Sequence, residues 1–254
     1  MPRRKTLMPL KNNGVATPAR RAAAKPRGRR DPDGTRARIL DAALHEFATN
    51  GYAGARIDRI SRRAKTFDRM LYYHFGNKED LFRLVLERIY EDLWSAEERL
   101  DLAGADPVEG IRALIAFTWN YYYEHPEFIR LLNSENLQRG RNLRKSARVG
   151  KLSSPFIRIL EDLLQRGARA GVFRGGVDPV QLYLTIASLG YFYLSNRYTL
   201  SRFLDLDLVE AGRRAAWLGH ITGVVLDHLR PARAPALTGR RAAATIVRNS
   251  ENAE

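Results

Sequence analysis

The run Met70-Leu71-Tyr72-Tyr73-His74-Phe75-Gly76-Asn77-Lys78-Glu79-Asp80-Leu81 gathers aromatic rings, a histidine and a lysine where one helix ends and another begins. Leu71 and Phe75 are four residues apart and share a buried face, while Tyr72, Tyr73 and His74 fan around the other sides with polar tips. Gly76 suits the left-handed residue that closes a helix. Asn77 is the next N-cap, and Asp80, three residues on, resembles a capping box. Lys78 therefore falls in a first helical turn, where the helix dipole favours anions over cations. A phosphate at that helix end resolves the mismatch, because backbone N–H groups and the lysine converge on it. The plain alternative is a solvated lysine on a helix corner.

No other constellation offers catalysis. The five histidines (His45, His74, His125, His220, His228) form no pair with metal-ligand spacing and a matching carboxylate. A phosphate-cradling glycine loop and a nucleophile elbow are both missing. Cysteine is absent, which removes disulfides and Cys-based zinc sites. The sequence thus predicts a non-enzyme without metal or cofactor. Its 254 residues hold no apolar run near the roughly 18 needed to span a bilayer, so a cytoplasmic protein with no membrane partner is expected.

The net charge of +15 is unevenly placed. Residues 1–30 carry ten Lys/Arg and no acid, and residues 35–75 carry eight bases against four acids. Residues 76–230 are nearly neutral, with 21 bases and 20 acids. The basic end is the one expected to meet a polyanion, with a merely solubilising tail as the bland reading.

The elements that must hold the run are helices. Residues 1–34, broken by Pro2, Pro9, Pro18, Pro26 and Pro32, read as a disordered basic arm. Thr35 caps a first helix with Ile39, Leu40, Ala43, Leu44 and Phe47 at helical spacing, ended by Asn50-Gly51. A second short helix carries Ile57, Ile60 and Ala64, and a third starts between Thr66 and Asp68 and runs to Phe75. Two short helices joined by a tight turn, after a longer supporting one, is the helix-turn-helix plan, here over 56–75. Further helices are predicted over 77–100, from Asp106-Pro107 to His125-Pro126, and over 127–138. A long helix follows over 144–170, bent at Pro155. Then come one from Asp178-Pro179 to about Tyr198 and one over 206–229.

These residues together resemble the TetR family of bacterial transcriptional regulators. The resemblance rests on Arg38-Ile39-Leu40-Asp41-Ala42-Ala43, on Phe47 with Asn50-Gly51-Tyr52, on Ile57 to Ala64, and above all on Leu71 to Leu81. Within the family the C-terminal half is loosely similar to the pyrimidine-utilisation regulator type. The fold class implied is all-α: a three-helix DNA-binding head (35–95) and a helical effector-binding and dimerisation domain (96–230), with a flexible tail at 231–254. One departure stands out. Where the family usually carries Gly-Val-Ser before the third helix, this chain has Lys65-Thr66-Phe67. Losing the glycine predicts an altered turn, and losing the serine moves the N-cap role to Thr66 or Asp68.

The resemblance further implies that the third helix enters the major groove of double-stranded DNA. Thr66, Phe67, Asp68, Arg69 and Met70 would then lie nearest base edges, with Lys65 gaining a phosphate contact; Arg69 is best suited to a bidentate guanine contact, a phosphate being its alternative partner. Arg56, Tyr72, Tyr73, His74 and Lys78 would meet phosphates. A homodimer would span a pseudo-palindromic operator and repress until a small-molecule effector releases it. The effector cavity is expected around Phe117, Tyr121, Tyr122, His125, Phe128, Asn136, Phe156 and Tyr183. The dimer surface is expected at Leu182, Ile186, Leu189, Tyr193, Trp217, Ile221 and Val225. The rival reading is a nucleoid-type protein that binds DNA without sequence choice through its basic arm.

Overall fold

A computed structural model describes residues 32–149 and 155–231, and every long regular element among them is an α-helix. The expected basic arm, apart from its last residues, and the C-terminal tail beyond 231 lie outside the described residues. α1 (Pro32–Gly54), α2 (Ile57–Arg63) and α3 (Asp68–Phe75) form the head. α4 (Lys78–Glu98) carries the chain into α5 (Pro107–Glu124), α6 (Pro126–Leu137), α7 (Pro155–Arg169), α8 (Pro179–Leu204) and α9 (Ala211–Leu229).

The head closes on Ile39, Ala43, Phe47, Ile60, Leu71, Phe75, Leu81 and Phe82, all buried. Phe47 meets Phe82 edge-on at 4.8 Å, so α1 and α4 are locked by a ring contact. Truncating a phenylalanine in such a place costs about 3–5 kcal/mol. α1 begins at Pro32, ahead of the predicted Thr35 cap. Thr35 instead lies inside the first turn and accepts from Arg38 Nη2 at 2.9 Å. At Gly51 the backbone takes φ 65, ψ 175, a combination open only to glycine, and the helical ladder is interrupted there as the Asn50-Gly51 pair predicts.

In the C-terminal part α5 is central and packs against α6, α7, α8 and α9. Its start is the Asp106-Pro107 device seen in the sequence: Asp106 Oδ1 accepts from the backbone N–H groups of Val108 (2.9 Å) and Glu109 (3.1 Å). Asp178 caps α8 in the same way through Val180 and Gln181.

Three expectations are corrected. The predicted helix over 144–170 starts at Pro155; upstream, Leu143–Lys145 is one 3-10 turn and Ser146 is extended. The cause is Glu135, buried at the end of α6, whose carboxylate accepts from the N–H groups of Asn142 (2.7 Å) and Leu143 (2.9 Å) and fixes that stretch as a turn. α8 runs to Leu204, six residues past Tyr198, and α9 starts at Ala211 rather than near 206. Finally, Leu182, Ile186, Tyr193, Ile221 and Val225, expected on a dimer surface, are buried inside the protomer, and Leu189 and Trp217 are half-buried and joined by a Trp217 Nε1 bond to the Leu189 carbonyl. Both faces of α8 are apolar. The face that points outward carries Leu184, Phe192 and Tyr198 instead.

Candidate nucleic-acid interface

α2 ends in a Schellman turn: the Lys65 N–H donates to the Arg62 carbonyl (3.2 Å) and the Thr66 N–H to the Ser61 carbonyl (3.0 Å). That motif needs a left-handed residue at its second-last position, and Lys65 supplies it with φ 52. The turn therefore keeps the conformation for which glycine is the usual residue, contrary to the expected alteration. The cost of a non-glycine residue there is about 1 kcal/mol. The N-cap of α3 is Phe67, not Thr66 or Asp68, and no side chain caps the helix; Asp68 is its first helical residue.

α3 buries Leu71 and Phe75 and presents the opposite surface to solvent. Phe67 is 70% exposed, Tyr72 52% and Tyr73 79%, an unusual display of rings for a face with no protein partner among the described residues. Arg69 is exposed and its guanidinium lies over the Phe67 ring at 5.4 Å. Met70 packs partly against the head core, and His74 is half-buried with its Nε2 lacking a hydrogen-bond partner. Arg56, the residue before α2, is exposed and paired with Asp58 at 2.9 Å, which holds that carboxyl below its ordinary range.

At the head's other corner Asn77 caps α4 by accepting from the Asp80 N–H at 2.8 Å, and its amide donates to Asp80 Oδ2 at 2.7 Å. Lys78 occupies the first turn, with Nζ 4.9 Å above the Tyr52 ring. Partial burial pulls its ammonium below the ordinary lysine range, opposed by the nearby Glu46 carboxylate. A lysine held partly dry on an aromatic face at a helix N-terminus is poised to exchange that contact for a phosphate.

Several residues that position this corner had no such role legible in the sequence. Glu46, buried in α1, accepts from the Arg56 backbone N–H (3.2 Å) and pairs with Arg59 (3.7 Å), tying the α2 entry to α1. The Tyr52 N–H donates to Ser134 Oγ of α6 at 3.0 Å. Glu79 binds Arg141 (2.9 Å) and Lys145 (2.5 Å), which hold its carboxyl below the usual range, Lys145 most strongly. The C-terminal part therefore touches the head on both sides of Lys78.

Of the expected effector residues, Phe117, Tyr121, His125 and Phe128 line one cleft of about 430 Å³ between α4, α5 and α6, with Asp92, Glu124 and Glu127 among its walls. The Tyr121 and His125 rings meet at 4.3 Å, tilted by 33°, and His125 Nδ1 is 3.1 Å from Glu127 Oε1. Burial, then the Asp92 and Glu127 charges, raises the Tyr121 phenol. Tyr122, Phe156 and Tyr183 do not join this cleft. They form an inner aromatic layer with Tyr90, whose phenol burial pushes up to about 12; Phe156 meets Tyr183 edge-on at 5.4 Å. Asn136 is exposed near the end of α6 and is not among the cleft residues.

Residues 39–85 match the family described as bacterial regulatory proteins, tetR family, and residues 107–225 match the tetracyclin repressor-like C-terminal domain. The HTH-type transcriptional repressor NicS of Pseudomonas putida is 46% identical over 198 residues, 78% of this chain and 93% of NicS. The HTH-type transcriptional repressor SCO4008 of Streptomyces coelicolor is 42% identical over 113 residues, 44% of this chain and 54% of its own length. Among solved structures, SCO4942 from Streptomyces coelicolor, described as a transcriptional regulator, superposes with a TM-score of 0.56 at 26% identity, covering 75% of this chain and 97% of that one.

Proposed function

The chain belongs to the TetR family and is a DNA-binding transcriptional regulator, not an enzyme; we propose that it is a homodimeric repressor that reads a pseudo-palindromic operator and is released by a small-molecule effector. The observation that carries the reading is the outward face of α3. Phe67, Arg69, Tyr72 and Tyr73 project from a helix whose other side is anchored in the head core. A rigid helix presenting an arginine and an apolar ring is equipped for guanine and thymine-methyl recognition in a major groove. Lys65, Thr66 and Asp68 flank that surface, and Tyr72, Tyr73, His74, Lys78 and Arg56 are its phosphate-side neighbours, with Met70 serving packing more than readout.

The second copy is proposed to sit on the outer face of α8 and α9. Leu184 and Phe192 are each 58% exposed, and on α9 a Cβ at Gly219 or Gly223 meets nothing within 4 Å. Nothing inside the protomer requires glycine at those two positions, whereas close approach of another helix does. The effector is proposed to occupy the cleft of Phe117, Tyr121, His125 and Phe128. Asp92, Glu124 and Glu127 make its wall acidic against the single guanidinium of Arg99, which favours a ring-bearing molecule with positive charge or several hydrogen-bond donors. A cytoplasmic location follows from this reading.

Selection of bound duplexes from a random DNA pool by the full chain tests the reading. Enrichment of one two-fold-symmetric sequence is expected. Retention of all sequences alike would favour the non-specific nucleoid-type alternative and overturn it.

A further inference from the structure

The connection between α6 and α7 holds a cluster of charge that the head's helix-turn-helix does not account for. From Gln138 to Val149 it carries Arg139, Arg141, Arg144, Lys145 and Arg148 and no acid. Two of the five, Arg141 and Lys145, are clamped on Glu79. Glu79 is the residue after Lys78, so the segment is docked on the very helix end proposed to receive a phosphate. Arg148 pairs with Glu91, farther along α4, so the chain runs away from that end as it proceeds. The part nearest the head is 139–145. There Arg139 and Arg144 are exposed and have no acidic partner among the described residues; Arg144 only bonds the Arg139 carbonyl at 2.6 Å.

The backbone adds a second, independent observation. α6 ends in a Schellman turn like that of α2: the Arg139 N–H donates to the Asn136 carbonyl (2.9 Å) and the Gly140 N–H to the Glu135 carbonyl (3.1 Å). The left-handed residue is Arg139, with φ 57. Glycine is the unstrained choice at such a position, and the non-glycine residue costs about 1 kcal/mol. Two helices of this chain thus end with a cation in the left-handed slot, Lys65 just before α3 and Arg139 two residues before the Arg141 that pairs with Glu79. Strain retained at a site is a pointer to use there.

We propose that the 139–145 segment of the C-terminal domain is a second phosphate-contacting element, in which Arg139 and Arg144 grip the DNA backbone beside the Lys78 contact and widen the footprint of each head. Arg141 and Lys145 are the fasteners: their pairing with Glu79 sets the segment against α4 and leaves the other two cations free. The inference rests on the reading of Lys78 as a phosphate neighbour, and it concerns affinity and register, not base choice.

The test uses the duplex that the full-length chain selects from a random pool. Its affinity is measured from 50 to 200 mM salt for the wild type, for Lys78→Ala and for Arg139→Ala/Arg144→Ala. Each lost phosphate contact lowers the log–log salt slope by about 0.9. The double variant is expected to lower it by about 1.8 per head, with the selected sequence unchanged and hydroxyl-radical protection shortened at the outer edge of each half-site. An unchanged slope in the double variant, with Lys78→Ala still lowering it, would overturn the second element and leave the Lys78 reading intact. If neither variant changes the slope, the phosphate reading of the corner itself fails. Both arginines are exposed, so circular dichroism and melting should match the wild type; Arg139→Gly, which relieves the strain while removing the charge, must lower the slope without lowering the melting temperature.

Discussion

Replacing Lys65 with glycine should make the protein more stable and its grip on DNA weaker, and the two effects have separate causes. Lys65 holds φ 52 at the end of α2, where its backbone N–H and that of Thr66 close the Schellman turn. A side chain in that conformation costs about 1–2 kcal/mol, and glycine returns part of the gain through the greater freedom of its unfolded chain, about 0.5–1 kcal/mol. The net is a stabilisation of about 0.5–1 kcal/mol. For a chain of this size each kcal/mol moves the melting temperature by about 2–4 °C, so a rise of about 1–4 °C is expected in differential scanning calorimetry. The same change deletes a cation beside the recognition helix. If Lys65 meets a phosphate, the salt slope of operator binding falls by about 0.9 per head. Lys65→Ala separates the two: it removes the charge but keeps a Cβ in the left-handed region, so the slope should fall equally while the melting temperature does not rise. A drop in stability with glycine, or an equal rise with alanine, would refute the strain argument. An unchanged slope in both would refute the contact.

Four further outcomes are expected. Arg69→Ala should relax preference at one or two base positions while leaving the salt slope nearly unchanged, and Lys78→Ala should do the reverse, weakening all sequences alike with a slope lower by about one per head; selection from a random pool with each variant distinguishes them. Gly223→Glu, placed on the open face of α9, should leave helix content unchanged by circular dichroism and yield a monomer in sedimentation analysis at micromolar concentration. Asp92→Asn/Glu127→Gln, in the cleft proposed for the effector, should cost about tenfold or more in effector-induced release measured by fluorescence anisotropy, with operator affinity of the free protein unchanged. On acidification, the Glu79 clamp should loosen. Its folded pKa lies below the ordinary 4.5, so its stabilisation is complete above that value and is lost as pH falls further through the depressed one. Hydrogen exchange in 139–145 should therefore rise below about pH 4.5 in the wild type, relative to Glu79→Gln, which lacks the carboxylate at every pH.

What was legible in the sequence follows the range of the interactions involved. Asn77, Asp106 and Asp178 were readable as caps because each bonds N–H groups two or three residues away, and the structure has those bonds. The described stretch over 144–149 has the pattern of a helix but is not α-helical, because its fate depends on Glu135, whose buried carboxylate takes N–H groups seven and eight residues away. No periodicity encodes that reach. The faces of α8 failed for another reason. Leu182, Ile186 and Tyr193 on one side and Leu184, Phe192 and Tyr198 on the other make the helix apolar nearly all round, so pattern alone does not say which side faces the core. The packing of α8 against α5 and α7 decides it, and what remains outside is a second apolar face in need of cover.

The same contrast sharpens the meaning of the Lys65-Thr66-Phe67 departure. By residue type the loss of glycine and serine predicts a different turn, yet the backbone adopts the left-handed corner without the glycine and enters α3 without a capping side chain. A missing N-cap costs about 1 kcal/mol and the left-handed lysine a similar amount, while the fold is held by Ile60, Leu71 and Phe75 beneath the turn. Core burial of three such side chains, at about 1.5–3 kcal/mol each, outweighs both local penalties. The turn geometry is therefore set by packing, which frees the three turn residues to vary with what they touch outside. If α3 reads DNA as proposed, a cation, a small polar residue and an exposed ring at its entry form part of the recognition surface, and the sequence preference of this regulator is to be sought in them as much as in Arg69.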